Sequence, residues 1–151
     1  MKLAEALILR ADLQKRIEQV KSRLRNNILV QEGERPSEEP DFLLKELFSN
    51  QDELSSLIKR INTTNNLTRF DDKLTLAEAL VDRDILLERR SILANAAEEA
   101  SVKPDRYSRT EIKYVSIIDV KEFQKEADKL SKEYRELDTK IQGLNWIIDL
   151  V

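Results

Sequence analysis

Leu3-Ala4-Glu5-Ala6-Leu7 returns without change as Leu76-Ala77-Glu78-Ala79-Leu80. At the same offset Arg10 meets Arg83, Leu13 meets Leu86 and Arg16 meets Arg89. Leucine, alanine and glutamate are strong helix formers, so each copy opens a helix. Thr75 and Glu78 have capping-box spacing: the threonine oxygen accepts from an amide of the first turn and the glutamate reaches back to the cap. The first copy has no such threonine before it. Two halves of related design, each a long helical hairpin, are the expectation.

Working outward, Leu13, Ile17, Val20, Leu24 and Ile28 extend Leu3 and Leu7 at helical steps and predict a first helix over about 2–31, with Gly33 as its stop. The acidic, twice proline-punctuated stretch 31–41 reads as a solvated connection. A second helix is expected over about 41–62. Leu44, Leu47, Leu54, Ile58 and Ile61 form its stripe, Gln51 interrupts it, and Phe42, Phe48 and Leu57 widen it. Asn62-Thr63-Thr64-Asn65-Asn66 should break it, because such side chains compete for backbone hydrogen bonds. The third helix is expected over about 75–100. Leu76, Leu80, Leu87 and Ala94 mark one edge, and Val81, Ile85, Ile92 and Ala96 the other.

The last helix, about 119–150, has the cleanest pattern: Val120, Phe123, Ala127, Leu130, Tyr134, Leu137, Ile141, Leu144 and Ile148 alternate steps of three and four, as in a coiled-coil seam. Asp119 and Glu122 cap its start. Asp128/Lys132 and Glu136/Lys140 are candidate outer ion pairs, and Gly143 suggests close helix approach. The segments near 67–75, with Asp71-Asp72-Lys73 as a turn, and near 110–118, rich in β-branched residues, suggest a small β element. The predicted architecture is mainly α, a single domain of two hairpins forming a four-helix bundle-like unit.

The 151 residues are 36% charged and 40% hydrophobic, with two glycines and three prolines, a mixture suited to solvent-washed helices. Cysteine and histidine are absent, which removes disulfides, thiol nucleophiles, Ser/His/Asp triads and the usual zinc sites from this chain. A carboxylate-only cation site stays open in principle, but Glu98-Glu99, Glu122/Glu126 and Glu133/Glu136 sit among lysines and read as solvated faces; no metal and no cofactor are expected. The net charge of −3, from 26 basic and 29 acidic residues interspersed, argues against a nucleic-acid partner. No apolar run reaches the roughly 18–20 residues that span a bilayer, and charges interrupt the N-terminal region early, so a cytoplasmic protein is expected.

The opening Met1-Lys2-Leu3-Ala4-Glu5-Ala6-Leu7, Gln31-Glu32-Gly33-Glu34, Arg60-Ile61-Asn62-Thr63-Thr64-Asn65, the string from Arg106 to Lys113, and Leu144-Asn145-Trp146 together resemble the septicolysin-like family of small bacterial helical proteins. The resemblance implies a helical protein that forms homo-oligomers, and the family name implies a cytolysin that contacts membranes.

Candidate residues fall into two groups. Asn62, Asn65 and Arg69 follow one long helix; Arg106, Tyr107, Arg109 and Lys113 follow another. If the two segments pair, guanidinium forks and amides could hold a small anionic ligand; otherwise they cap helix ends and pair with Asp71, Asp72 or Glu111. Leu144, Trp146, Ile147, Leu150 and Val151 exceed what one stripe needs and form either a buried terminal turn or a subunit interface. The leading expectation is a non-enzymatic, self-associating protein. The alternatives are a membrane-active cytolysin and a binding protein or hydrolase for an anionic metabolite.

Overall fold

The computed structural model describes residues 1–101 and 114–151. Four helices follow in order: α1 (Leu3–Asn26), α2 (Pro40–Leu67), α3 (Leu76–Ala100) and α4 (Val120–Ile147). α1 pairs with α2 and α3 with α4 along their lengths, and the hairpins meet through α1 with α4 and α2 with α3. The main core lies at this junction. Leu3, Ala6, Leu13, Leu57, Ile61, Leu76, Ala79, Ile141 and Leu150 are buried there. A second cluster, Ile17, Val20, Leu43 and Leu47, continues along the first hairpin alone.

The repeated string marks equivalent places. Leu3 and Leu76 are fully buried, as are Ala6 and Ala79. The Lys2 N–H donates to Glu5 and the Thr75 N–H to Glu78, both at 2.7 Å. Only Thr75 completes the box, through Glu78 N–H to its Oγ1 at 3.3 Å; a lysine side chain has no acceptor.

The equivalence extends to the chain preceding each string. Leu76 N–H donates to Thr68 O at 2.8 Å and Leu3 N–H to Ile148 O at 2.9 Å. Phe70 N–H donates to Leu74 O, and Leu150 N–H to Met1 O, both at 2.9 Å. Isolated bridges join Arg69 with Thr75 and Lys2 with Asp149. Thus α1 corresponds to α3, and α2, one constant shift along, to α4. The junction is a pseudo-two-fold arrangement of two hairpins.

Several expectations change. α1 ends at Asn26, because the Asn27 side chain donates to Arg23 O at 2.8 Å and accepts from Glu38 N–H at 3.0 Å. Arg23 also holds Glu38 and Glu46, which folds the acidic connection back onto the hairpin. Gly33, at φ 85°, serves a turn in that connection. Ile28 is 57% exposed, beyond the helix.

α2 runs through Asn62-Thr63-Thr64-Asn65-Asn66 instead of breaking. The Thr63 and Thr64 hydroxyls donate to the carbonyls of Lys59 and Arg60, four residues back. Thr64 is also buried and accepts from Val151 N–H at 3.0 Å. Tertiary context thus overrides local turn preference. The buried stripe of α2 is Leu43, Leu47, Asn50, Leu57, Ile61 and Thr64, shifted from the expected register, and Phe42 and Phe48 are exposed.

The seam of α4 is buried or half-buried throughout. The expected edges of α3 are not: Leu87 of the first and Val81, Ile85 and Ile92 of the second are exposed. The outer pairs that form are Lys132 with Glu136 and Lys129 with Glu126, in place of Asp128/Lys132 and Glu136/Lys140. A Cβ on Gly143 would meet nothing within 4 Å, so no close helix approach occurs there.

The β element reduces to the Arg69–Thr75 bridge. Its turn needs no glycine because Asp71 Oδ1 accepts from Lys73 N–H and Leu74 N–H, both at 2.8 Å, an Asx-type solution. Residues 114–118 form no strand, with Tyr114 and Ile117 at 90% and 96% exposure. The bridge opens α3 and residue 114 follows its far end; 25 residues of helix span about 37 Å. Residues 110–113 lie outside the described residues.

Candidate functional site

Where the hairpins meet, Leu7 and Arg10 of α1, Asn62 and Asn65 of α2, Leu80, Arg83 and Asp84 of α3, and Gln142 and Asn145 of α4 line a pocket with a volume of about 440 Å³. Ile61 completes the lining, and all but Ile61 and Asp84 fall into pseudo-two-fold pairs: Leu7 with Leu80, Arg10 with Arg83, Asn62 with Gln142, and Asn65 with Asn145. Ile61 and Ile141 are buried, and the polar residues one or four positions on turn from that core toward the pocket.

The paired arginines differ in environment. Arg83 donates through Nε and Nη2 to Asp84 Oδ1, at 3.0 and 2.8 Å, and through Nη1 to Asp138 Oδ1 at 3.2 Å. Partial burial opposes its charge, but the hydrogen bonds and charges of Asp84 and then Asp138 outweigh it and raise the Arg83 pKa. In the first half, the positions matching Asp84 and Asp138 hold Ala11 and Ile58. Arg10 has no acid there, and its Nε is buried with no hydrogen-bond partner among the described residues. Such a donor costs about 1–3 kcal/mol when left unsatisfied. Asn145 is 4% exposed, with Nδ2 3.5 Å from Gln142 Oε1.

Of the residues singled out from the sequence, Asn62 and Asn65 come together in this pocket. Arg69 stands outside it, in the bridge before α3. There its positive charge adds weakly to the forces holding two carboxylates below their usual range. The larger forces are the amides of Lys73 and Leu74 on Asp71, and the Thr75 amide and hydroxyl on Glu78. Arg106, Tyr107, Arg109 and Lys113 lie outside the described residues.

Sequence reading passed over Arg10, Arg83, Gln142 and Asn145 as site residues. The signal for the arginines was their matched position in the two repeats, and for Asn145 its place in the Leu144-Asn145-Trp146 string; Gln142 showed none, since the seam of α4 drew attention away from its polar flank.

Of the apolar C-terminal group, Leu150 is buried in the main core and Leu144 is half-buried, whereas Trp146, Ile147 and Val151 are 58%, 69% and 62% exposed. Among the described residues no group of three or more carboxylates converges as a metal site would require.

Comparison with known proteins gives a family but no activity. The chain is similar to a crystal structure described as that of a functionally unknown conserved protein from Corynebacterium diphtheriae, at 44% identity and a TM-score of 0.92 over 100% of this chain and 99% of that one. A search of curated proteins returns no match. Neither the family description nor that structure carries a septicolysin name, so the expected resemblance stops at the helical fold. The model of one family matches residues 10–150, and the chain therefore belongs to the family of unknown function DUF6847.

Proposed function

We propose that this protein is a non-enzymatic binding protein for a small anionic molecule, held in the pocket between its hairpins. One observation carries this: Arg10 lines the pocket and its buried Nε has no hydrogen-bond partner among the described residues, while its counterpart Arg83 is paired with two acids. A guanidinium fork beside carboxamides suits a carboxylate or phosphate group. The residues that support this reading stand on helices. Its direct test is thermal unfolding with inorganic phosphate and a series of carboxylates. Binding to the folded state raises Tm, by about 2.7 kcal/mol of stability at 100 times Kd. Arg10→Ala should abolish the shift and Arg69→Ala should keep it. A shift that survives Arg10→Ala, or no shift with any anion, removes the proposal.

Self-association is the second reading, favoured by Trp146, Ile147 and Val151, joined by Leu67 at 69% exposure. Leu67 and Ile147 are pseudo-equivalent, so the apolar surface flanks the junction on both helix ends. Light scattering across a hundredfold dilution tests it, and a monomer at every concentration rules it out. For the membrane-active alternative, no helix among the described residues is long and apolar enough to cross a membrane.

A further inference from the structure

We infer that the molecule bound in this pocket is a small zwitterion, amino-acid-like, with one anionic and one cationic group; the inference rests on the anion-binding proposal above. The pseudo-two-fold relation makes the two ends of the pocket comparable. At one end stands Arg10, flanked by Ala11 and Ile58 where the other half has acids. Arg83 and Asp84 line the matching place in the other half, and Arg83 is also paired with Asp138 behind it, so one positive charge there meets two negative ones. That end therefore carries one negative charge in excess.

The hydrogen bonds there engage only Oδ1 of each acid, from Arg83 in both cases and from Gln142 at Asp138. Asp84 lines the pocket; its Oδ2 has no hydrogen-bond partner among the described residues and can accept from an ammonium group, while Asp138, behind Arg83 and Gln142, contributes through its charge. A dianion would set its second charge against the surplus acid. A simple cation would set its charge against Arg10. Only a molecule carrying both signs complements both ends, and Asn65 and Asn145 supply neutral donors and acceptors between them.

Calorimetric titration of the whole chain at low ionic strength tests this with glycine, 4-aminobutyrate and 6-aminohexanoate, each against its matched carboxylate, acetate, butyrate or hexanoate. Inorganic phosphate serves as the simple-anion probe. At least one zwitterion should bind about tenfold more tightly than its match, the scale of one charge-assisted hydrogen bond. Asp84→Asn, at a side chain 67% exposed and so safe for the fold, should erase that advantage. It should also strengthen phosphate binding, because Arg83 loses a counter-charge. Arg10-dependent binding of phosphate or carboxylates with no zwitterion preferred overturns the zwitterion and leaves the anion site standing. No Arg10-dependent binding of any probe overturns both.

Discussion

Replacing each pocket arginine by methionine should move stability in opposite directions. Methionine keeps an unbranched stem of similar bulk and removes the guanidinium. At Arg83 the loss exposes two acids to each other. The Asp84 contact is worth little because that carboxylate is 67% exposed, and exposed pairs contribute about 0–1 kcal/mol. The Asp138 contact is better protected, with side chains 22% and 30% exposed. It still falls short of the roughly 3–5 kcal/mol for breaking a fully buried pair. Arg83→Met should therefore cost about 1–2 kcal/mol. For a chain of this length that lowers Tm by about 2–8 °C. At Arg10 there is no pair to break among the described residues, and deleting a buried donor without a partner there relieves a penalty. Arg10→Met should leave stability unchanged or raise it by up to about 1 kcal/mol. Urea unfolding followed by helical circular dichroism measures both, with equal m-values showing that the midpoints report stability. If Arg10→Met destabilises as much as Arg83→Met, Arg10 is a structural residue and its role in binding is refuted.

Thr64→Val leaves the Val151 N–H without its acceptor and should cost about 1–2 kcal/mol, whereas Thr63→Val, on an exposed hydroxyl bonded only to Lys59 O, should stay within about 0.5 kcal/mol; equal effects in urea would mean that Thr64 does not anchor the C-terminal segment. Gly143→Ala should add about 0.5–1 kcal/mol, since nothing lies within 4 Å of the new methyl, and a lower Tm would contradict that open space. The Thr75 amide and then its hydroxyl hold the Glu78 carboxylate below its usual 4.5. Its contribution is present above that value and is lost as pH falls through the depressed folded pKa. Glu78→Gln should accordingly be less stable at pH 7 and lose less on acidification toward pH 3; an unchanged acid profile would count against the capping role.

Helix number, order and pairing were legible because they rest on periodicity and on the capping spacing at Thr75 and Glu78, both local. The register of α2 was not. Its face includes Asn50 and Thr64, polar residues that a hydrophobic stripe passes over, and both are buried. Thr64 is there because a distant backbone amide, that of Val151, needs an acceptor, and no local pattern announces such a partner. The early end of α1 likewise depends on Asn27 reaching Glu38 across a loop.

Set against α4 at the shift fixed by the junction hydrogen bonds, the buried face of α2 becomes readable after the fact. Leu43, Leu47, Leu57 and Ile61 answer Phe123, Ala127, Leu137 and Ile141, and the two interruptions, Asn50 and Thr64, stand where α4 has Leu130 and Leu144. The halves are thus alike in construction and differ where side chains were free to change without loss of the core. The pocket follows the same logic. Its apolar and amide pairs are kept in kind, while the acids beside Arg83 have no counterpart beside Arg10. Had both arginines been neutralised, the pocket would be a structural ion-pair network and nothing more. Had neither been, a pocket of about 440 Å³ would hold two unpaired like charges, a standing repulsion. The mixed arrangement keeps one half as scaffold and leaves the other with a charged donor that meets no partner among the described residues. That difference between matched positions, more than the abundance of charge on the surface, singles out Arg10 as the residue to test first.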